Sequence, residues 1–197
     1  QRQMCIRDRP IAVTGLPDTM AAYIASKLCA DTGRKVLLIS GNDLKAAHDA
    51  EDGQQLLETG VACLPGGEID LTRGASSHES AWRRLEALAR AQEGDIRLLC
   101  TSMDAALQRM GSADRFREET IRLAPGDRID LNDLIRRLNA MGYERVSMVE
   151  GKGQCALRGG IIDVYPPACS QSLRIEFFDD EVDSIREFDC ISQRSLD

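Results

Sequence analysis

The pattern of apolar runs changes near Gly111, and this change limits the folds available to the chain. Upstream of it, short apolar runs alternate four times with segments of helical periodicity, which is typical of a parallel sheet covered by helices. The predicted strands are 11–13, 35–40, 61–64 and 96–100, and the predicted helices are 19–31, 43–58, 76 or 77 to 92, and 103–110. Gly33 is expected to end the first of these helices, and Asn42 or Asp43 is expected to cap the second. The run 35–40 is almost continuously apolar, so we expect that strand to be covered on both faces.

Downstream of Gly111, strands follow one another with short turns, which predicts antiparallel pairing. Asp130 is a candidate cap for a helix over 131–141 that Gly142 ends. The predicted strands are 145–149, 154–158, 160–165, 173–178 and 182–188. The predicted fold class is therefore α/β: a parallel-sheet, P-loop-like domain over 10–112, followed by a small α+β antiparallel domain over 113–197. Residues 1–9 fit neither pattern, and we expect a non-native leader there.

The first strand-to-helix turn stands where a phosphate-binding loop would lie, but its sequence is degenerate. A P-loop reads G-x-x-x-x-G-K-[ST], in which backbone N–H groups and the lysine hold the phosphates. Gly15 and Thr19 remain at this turn, while the second glycine and the lysine are missing. Pro17 removes an N–H donor, and Asp18 would repel a phosphate. We expect no nucleotide here, and we expect Asp18 or Thr19 to cap the helix.

Composition excludes several other functions for this segment. The net charge is −7 and no basic stripe is present, which argues against tight DNA binding. Seven widely spaced cysteines without a C-x-x-C motif predict neither a disulfide framework nor a zinc site. We expect most of them to be small core residues in a reducing, cytoplasmic compartment. Two distant histidines predict no metal site, and the acidic run 179–183 predicts a solvated hairpin tip rather than a calcium loop. We expect no catalytic residue and no bound cofactor in this segment.

The strand 173–178 carries charged residues inside its apolar pattern. Alternation places Leu173, Ile175 and Phe177 on one face, which we predict to be the core face. The opposite face then presents Arg174, Glu176 and Phe178. Such a row fits an interface hot spot, in which arginine and aromatic side chains act as anchors. The alternative is an ordinary cross-strand Arg–Glu ion pair with an aromatic ring packed under a loop.

These segments resemble a known module. The runs GYERV at 142–146, RGGIIDVYP at 158–166 and RIEFFDDEVDSIR at 174–186 closely resemble the UvrB-like module of bacterial nucleotide-excision repair proteins. Two families carry the module, UvrB itself and the N-terminal part of the transcription-repair coupling factors. UvrB keeps a working phosphate loop, so the degenerate loop favours the coupling-factor family. A fragment of a UvrB-type ATP-binding repair protein is the alternative.

The resemblance implies a function in protein docking. In the coupling factors this module binds UvrA and thereby recruits excision repair to stalled RNA polymerase. The UvrA-contacting positions match Arg158, Arg174 and Phe178, and Glu176 is an added neighbour. UvrB has a further arginine where this chain has Ala156, so its contact set is not fully matched. The resemblance also implies that ATP, magnesium, DNA and RNA polymerase are bound by domains outside this chain.

Overall fold

The computed structural model describes residues 11–66 and 78–196, and it contains six helices and eight strands in these ranges. None of these helices is both long and apolar enough to cross a membrane. The helices are α1 (Met20–Thr32), α2 (Asp43–Leu57), α3 (His78–Glu93), α4 (Met103–Leu107), α5 (Ala113–Glu119) and α6 (Leu131–Ala140). The strands are β1 (Val36–Ser40), β2 (Val61–Leu64), β3 (Leu98–Ser102), β4 (Glu144–Arg145), β5 (Gln154–Arg158), β6 (Ile161–Val164), β7 (Ser172–Phe178) and β8 (Glu181–Phe188).

The described residues divide into two compact units. One contains residues 11–63 and 96–103, and the other contains 64–66, 78–95 and 104–196. Helix α3 joins the second unit, where the Trp82 ring lies against Gly153 and the Lys152 ammonium is 3.6 Å from the Glu86 carboxylate. The domain boundaries expected from the sequence, 10–112 and 113–197, stay predictions.

The first unit is built on a three-stranded parallel sheet in the order β1-β3-β2. Strands β1 and β3 pair from Val36 opposite Leu98 to Ser40 opposite Ser102. Helices α1 and α2 pack on this sheet and on each other because both carry small residues on their buried faces. The buried core residues of this unit are Ala25, Cys29, Leu57, Val61, Leu98 and Cys100.

Two expectations for the first unit are wrong. Residues 11–13 do not form a strand, and Ile11 and Val13 are exposed, since this short run pairs with none of the described strands. Strand β1 is not covered on both faces, because Leu37 and Ile39 are exposed. The physical reason is that α1 and α2 pack on the same face of β1, so only the side of Val36 and Leu38 joins the core.

The ends of the helices follow the predicted capping residues in most cases. Asn42 accepts a hydrogen bond from the Lys45 N–H at the start of α2, and Asp130 does the same for Asp133 at the start of α6. Gly33 ends α1 in the left-handed conformation. Thr19 occupies the N-cap position of α1, but its side chain makes no capping hydrogen bond. Helix α5, with no buried residue, has no counterpart among the predicted elements.

The second unit contains a five-stranded sheet in the order β4-β5-β6-β7-β8. Strands β5 to β8 are antiparallel, as predicted, but β4 pairs with β5 in parallel. The expected strand 145–149 is reduced to two residues, and the eight residues between β4 and β5 return the chain to the same direction. The sheet is therefore mixed and mostly antiparallel.

Helix α6 covers one face of this sheet. Its buried residues Leu134, Ile135 and Leu138 recur at helical spacing and pack in one cluster with Ile162 and Ile175 of the sheet. The same cluster includes Leu173 and Phe177, which are partly buried. The predicted core face of 173–178 is thus confirmed, and the face opposite α6 is called the outer face below.

The segment before α6 runs along β8 and fixes the β7–β8 hairpin. The N–H groups of Gly126 and Ile129 donate to the carbonyls of Val182 and Asp180, each over 2.8 Å. The Arg128 guanidinium lies 3.1 Å from the Glu181 carboxylate. This segment forms backbone hydrogen bonds with β8, the last strand of the sheet, on the side away from β7. The hairpin tip therefore keeps a defined position.

The core contact of α6 can be tested by truncation. Leu134→Ala should lower the free energy of unfolding by about 2–5 kcal/mol, because it leaves a cavity beneath a side chain that is almost fully buried. Urea titration followed by circular dichroism measures the change. Asn132→Ala, at an exposed position of the same helix, is the matched control and should change the value by less than about 0.5 kcal/mol.

Candidate functional site

The outer face of the sheet brings Arg158, Asp163 and Arg174 together. Asp163 lies on β6 directly opposite Arg174 of β7. Arg158, on β5, is diagonal to Asp163, because Ala156 occupies the position directly opposite it. Side chains at such positions are within reach of one another. The central strand thus contributes a carboxylate, and its two neighbours contribute cations.

Asp163 is completely buried, and both arginines bind its carboxylate. Arg174 donates from Nε to Oδ1 over 2.7 Å and from Nη2 to Oδ2 over 3.0 Å. Arg158 donates from Nη2 to the same Oδ2. Charge-assisted hydrogen bonds of this kind compensate the cost of removing a carboxylate from water.

The electrostatics of the cluster favour the ionised form of Asp163. Burial raises the pKa of Asp163, but hydrogen bonds from Arg174 and Arg158 and their positive charges outweigh it, so the pKa lies below its ordinary value of 3.8. Hydrogen bonding to Asp163 raises the pKa of Arg174. Asp163 is therefore ionised at neutral pH.

The two arginines differ in how far they reach the surface. The Arg174 side chain is only 16% exposed, its guanidinium carbon lies 4.8 Å from the centre of the Phe188 ring, and its Nη1 is 3.5 Å from the Gln193 carbonyl oxygen. Arg158 is 47% exposed. Arg174 is thus held from several sides, whereas Arg158 presents half of its side chain to solvent.

Glu176 and Phe178 continue the outer face toward the hairpin tip. The Ser184 hydroxyl donates to Glu176 over 3.1 Å, and the Arg186 guanidinium lies 3.8 Å from the same carboxylate. Phe178 is 81% exposed and stands next to the turn residue Asp179, which has a left-handed backbone with φ 61°. The sequence-predicted hairpin tip at the acidic run is confirmed.

The turn between β5 and β6 explains how Arg158 is placed beside this row. Gly159 has φ 61°, a conformation that favours glycine. A Cβ on Gly160 would approach the Phe177 carbonyl oxygen to 3.1 Å. Together the two glycines form the tight turn between β5 and β6 and let this turn pass close to the backbone of β7.

The alternative of an ordinary cross-strand ion pair with a packed aromatic ring agrees with the structure only at Glu176. Glu176 does form a cross-strand ion pair, but with Arg186, while Arg174 pairs with Asp163. Phe178 is exposed rather than packed under a loop. The sequence reasoning missed Asp163, although a single aspartate inside the apolar run IIDV could have indicated a buried charge that needs a cation.

The degenerate phosphate loop is irregular and exposed in the structure. Gly15 is left-handed with φ 75°, and the Met20 N–H donates to the Pro17 carbonyl over 3.0 Å. The nearby cation is Lys45, which donates to the Asp18 carbonyl over 2.8 Å and forms an ion pair with buried Asp49. The Ser40 hydroxyl also donates to Asp49, over 2.6 Å. These contacts engage the ammonium within the chain.

The cysteines and histidines of the described residues form no metal site. No group of three or more metal-binding side chains occurs in the two described ranges. Cys29, Cys100 and Cys155 are buried, as predicted for core residues, and burial raises the pKa of Cys100 to about 12. His48 is exposed, as expected, whereas Cys5 lies outside the described residues.

Comparison with known proteins identifies the class of the second unit. A family model described as UvrB interaction domain matches residues 121–197. These residues include α6, the whole five-stranded sheet and its outer face. The second unit therefore carries a domain of the UvrB interaction class.

Similarity over almost the whole chain identifies the family. The sequence is 32% identical over 187 residues, 94% of this chain, to the transcription-repair-coupling factor of Bacillus subtilis (strain 168). It is 35% identical over 195 residues, 95% of this chain, to that of Staphylococcus haemolyticus (strain JCSC1435), and 34% over 193 residues, 94% of this chain, to that of Staphylococcus aureus (strain bovine RF122 / ET3-1). The chain is homologous to the N-terminal part of the transcription-repair-coupling factors, and it spans about 16% of the length of these relatives. The family favoured by the degenerate loop is confirmed.

The charge of Asp163 leads to a prediction about pH. Because its pKa is lower in the folded chain than in the unfolded chain, the ionised carboxylate contributes stability that is complete above the unfolded value and is lost as pH falls through the folded pKa. The difference in melting temperature between the wild-type chain and Asp163→Asn should stay constant from about pH 8 to about pH 5 and shrink below about pH 4. Asp183→Asn, at an exposed position of the same sheet, is the control. A difference that grows on acidification would contradict this role.

Proposed function

We propose that this chain is a protein-docking module of transcription-coupled repair that binds UvrA through the outer face of its second unit. The contact residues are Arg158, Arg174 and Phe178, with Glu176 as a neighbour. The observation that carries the proposal is Phe178, an aromatic side chain that is 81% exposed on the same face of the sheet as two arginines anchored on a buried carboxylate. Large exposed aromatic side chains with an arginine nearby are typical of interaction hot spots.

The chemistry of the surface favours a partner with an acidic patch and an apolar recess. The cluster of Arg158, Asp163 and Arg174 has two positive charges and one negative charge, so its net charge is +1. An acidic partner surface can pair with Arg158, which is half-exposed. The Phe178 ring at the hairpin tip needs an apolar pocket to leave water.

The names of the relatives support a repair context for the proposed docking. They are transcription-repair-coupling factors, and the matched domain is described as a UvrB interaction domain. On this basis we propose that the chain belongs to a cytoplasmic protein that recruits excision repair to stalled RNA polymerase. We assign contacts with DNA and RNA polymerase to regions of the relatives beyond the length that this chain spans. We assign the use of ATP and magnesium to the same regions.

The segment itself is proposed to carry out no catalysis. Gly15 and Thr19 are the remaining phosphate-loop residues, and the nearby Lys45 ammonium is engaged by Asp18 and Asp49. A phosphate would therefore have to break an existing ion pair to recruit this cation. The alternative, a UvrB-type ATP-binding fragment, has no comparable support in the loop.

Binding to purified UvrA tests the docking proposal. Arg158→Ala and Phe178→Ala should each weaken the affinity by about 2 kcal/mol or more, because each removes an anchor at the centre of the interface. Isothermal titration measures the affinity, and circular dichroism checks that the variants are folded. Arg136→Ala, which removes an exposed arginine from α6 on the opposite side of the sheet, is the matched control and should bind normally. Full affinity in both outer-face variants would refute the proposal.

Titration with Mg-ATP separates the two candidate functions. We expect no measurable heat from the 197-residue chain, because the degenerate loop has neither the lysine nor the second glycine that a phosphate site requires. Micromolar binding that is lost in Gly15→Val would instead support the ATP-binding alternative.

A further inference from the structure

We propose that Asp163 is a positioning residue of the docking surface, one that touches no partner atom but holds Arg158 and Arg174 ready for binding. This inference rests on the proposed function and adds a residue to it. Asp163 is fully buried at the centre of the outer face, so it cannot itself meet a partner. Its effect on binding must pass through the two guanidiniums that it holds.

The geometry explains how one carboxylate can position two cations. Oδ1 accepts from Arg174 alone, whereas Oδ2 accepts from both Arg174 and Arg158. The arginines come from β5 and β7, the two strands that flank β6. The shared oxygen therefore fixes the distance between two side chains that belong to different strands.

The gain for binding is mainly entropic. A free arginine side chain populates many rotamers, and ordering it at an interface costs conformational entropy. A guanidinium that is already bound to Asp163 loses much of this rotamer freedom during folding, so less is lost on binding. Arg174 is further held by the Phe188 ring and the Gln193 carbonyl, while Arg158 keeps donors free because only its Nη2 contacts Asp163.

Loss of the carboxylate should raise the dissociation rate without lowering the association rate. In Asp163→Asn the net charge of the cluster rises from +1 to +2, so electrostatic attraction to an acidic partner does not weaken. The two guanidiniums lose the shared oxygen Oδ2, because asparagine has a single acceptor oxygen, and they repel each other without a negative charge between them. The bound complex therefore becomes less well ordered. We expect an association rate that is unchanged or higher and a dissociation rate that is higher.

Surface plasmon resonance with immobilised UvrA and the full 197-residue chain measures both rates. Asp163→Asn should weaken the affinity by at least about tenfold, with the loss in the dissociation rate. The double variant with Arg158→Ala should lose less than the product of the two single losses, because both changes act on the same guanidinium. Asp133→Asn, which changes an exposed aspartate of α6 on the opposite side of the sheet, should bind normally.

The possible outcomes separate this inference from the docking proposal. If Arg158→Ala and Phe178→Ala lose binding while Asp163→Asn stays within about twofold of the wild type, the positioning role is wrong and the docking function stands. If the loss of affinity in the double variant equals the product of the two single losses, the positioning role is also contradicted. If none of the three variants loses binding, the proposed function itself fails.

A measurement on the wild-type chain keeps the inference testable if Asp163→Asn does not fold. ¹⁵N relaxation of the arginine Nε–H groups reports the mobility of each side chain in the absence of a partner. We expect restricted motion for Arg158 and Arg174, and faster motion for Arg137, an exposed arginine of α6. Mobility of Arg158 and Arg174 equal to that of Arg137 would overturn the positioning role.

Discussion

A carboxylate with no exposed surface lies in the middle strand of the five-stranded sheet, and its charge has to be balanced by groups of the same chain. Isolating such a charge from water costs several kcal/mol unless it is paired and hydrogen-bonded. Asp163 meets this requirement with one arginine from each neighbouring strand. The pairing thereby links β5, β6 and β7 through side chains as well as through the backbone.

The two faces of this sheet do different work because the side-chain period of a strand is two. One face joins the apolar side of α6 in the main core of the second unit. The outer face has an apolar cluster around Phe188 at one end, the Asp163 cluster in the middle and Phe178 at the hairpin tip. Ala156 belongs to this apolar cluster and lies directly opposite Asp163, to which it offers no charge. The cation supply of Asp163 is thus limited to Arg158 and Arg174 in the described residues.

Much of the fold follows from local sequence patterns. The spacing of Leu134, Ile135 and Leu138 predicts the buried face of α6, and the alternation of Leu173, Ile175 and Phe177 predicts the core face of β7. Capping by Asn42 and Asp130 was also readable, since the bond runs to a residue three positions away. Local patterns did not reveal the parallel pairing of β4 or the absence of a strand at 11–13. Both depend on which distant segment is available as a neighbour.

The sequence by itself determined that Arg174, Glu176 and Phe178 share one face of a strand, because alternation is a property of the backbone alone. It also determined that the first turn lacks the residues of a phosphate loop. Only the tertiary structure decided that Arg174 pairs with Asp163 rather than with Glu176, and that Arg158 joins the same carboxylate. The reason is that these partners are brought together by strand register, which is set by the packing of the whole sheet and leaves no mark at fixed sequence spacing.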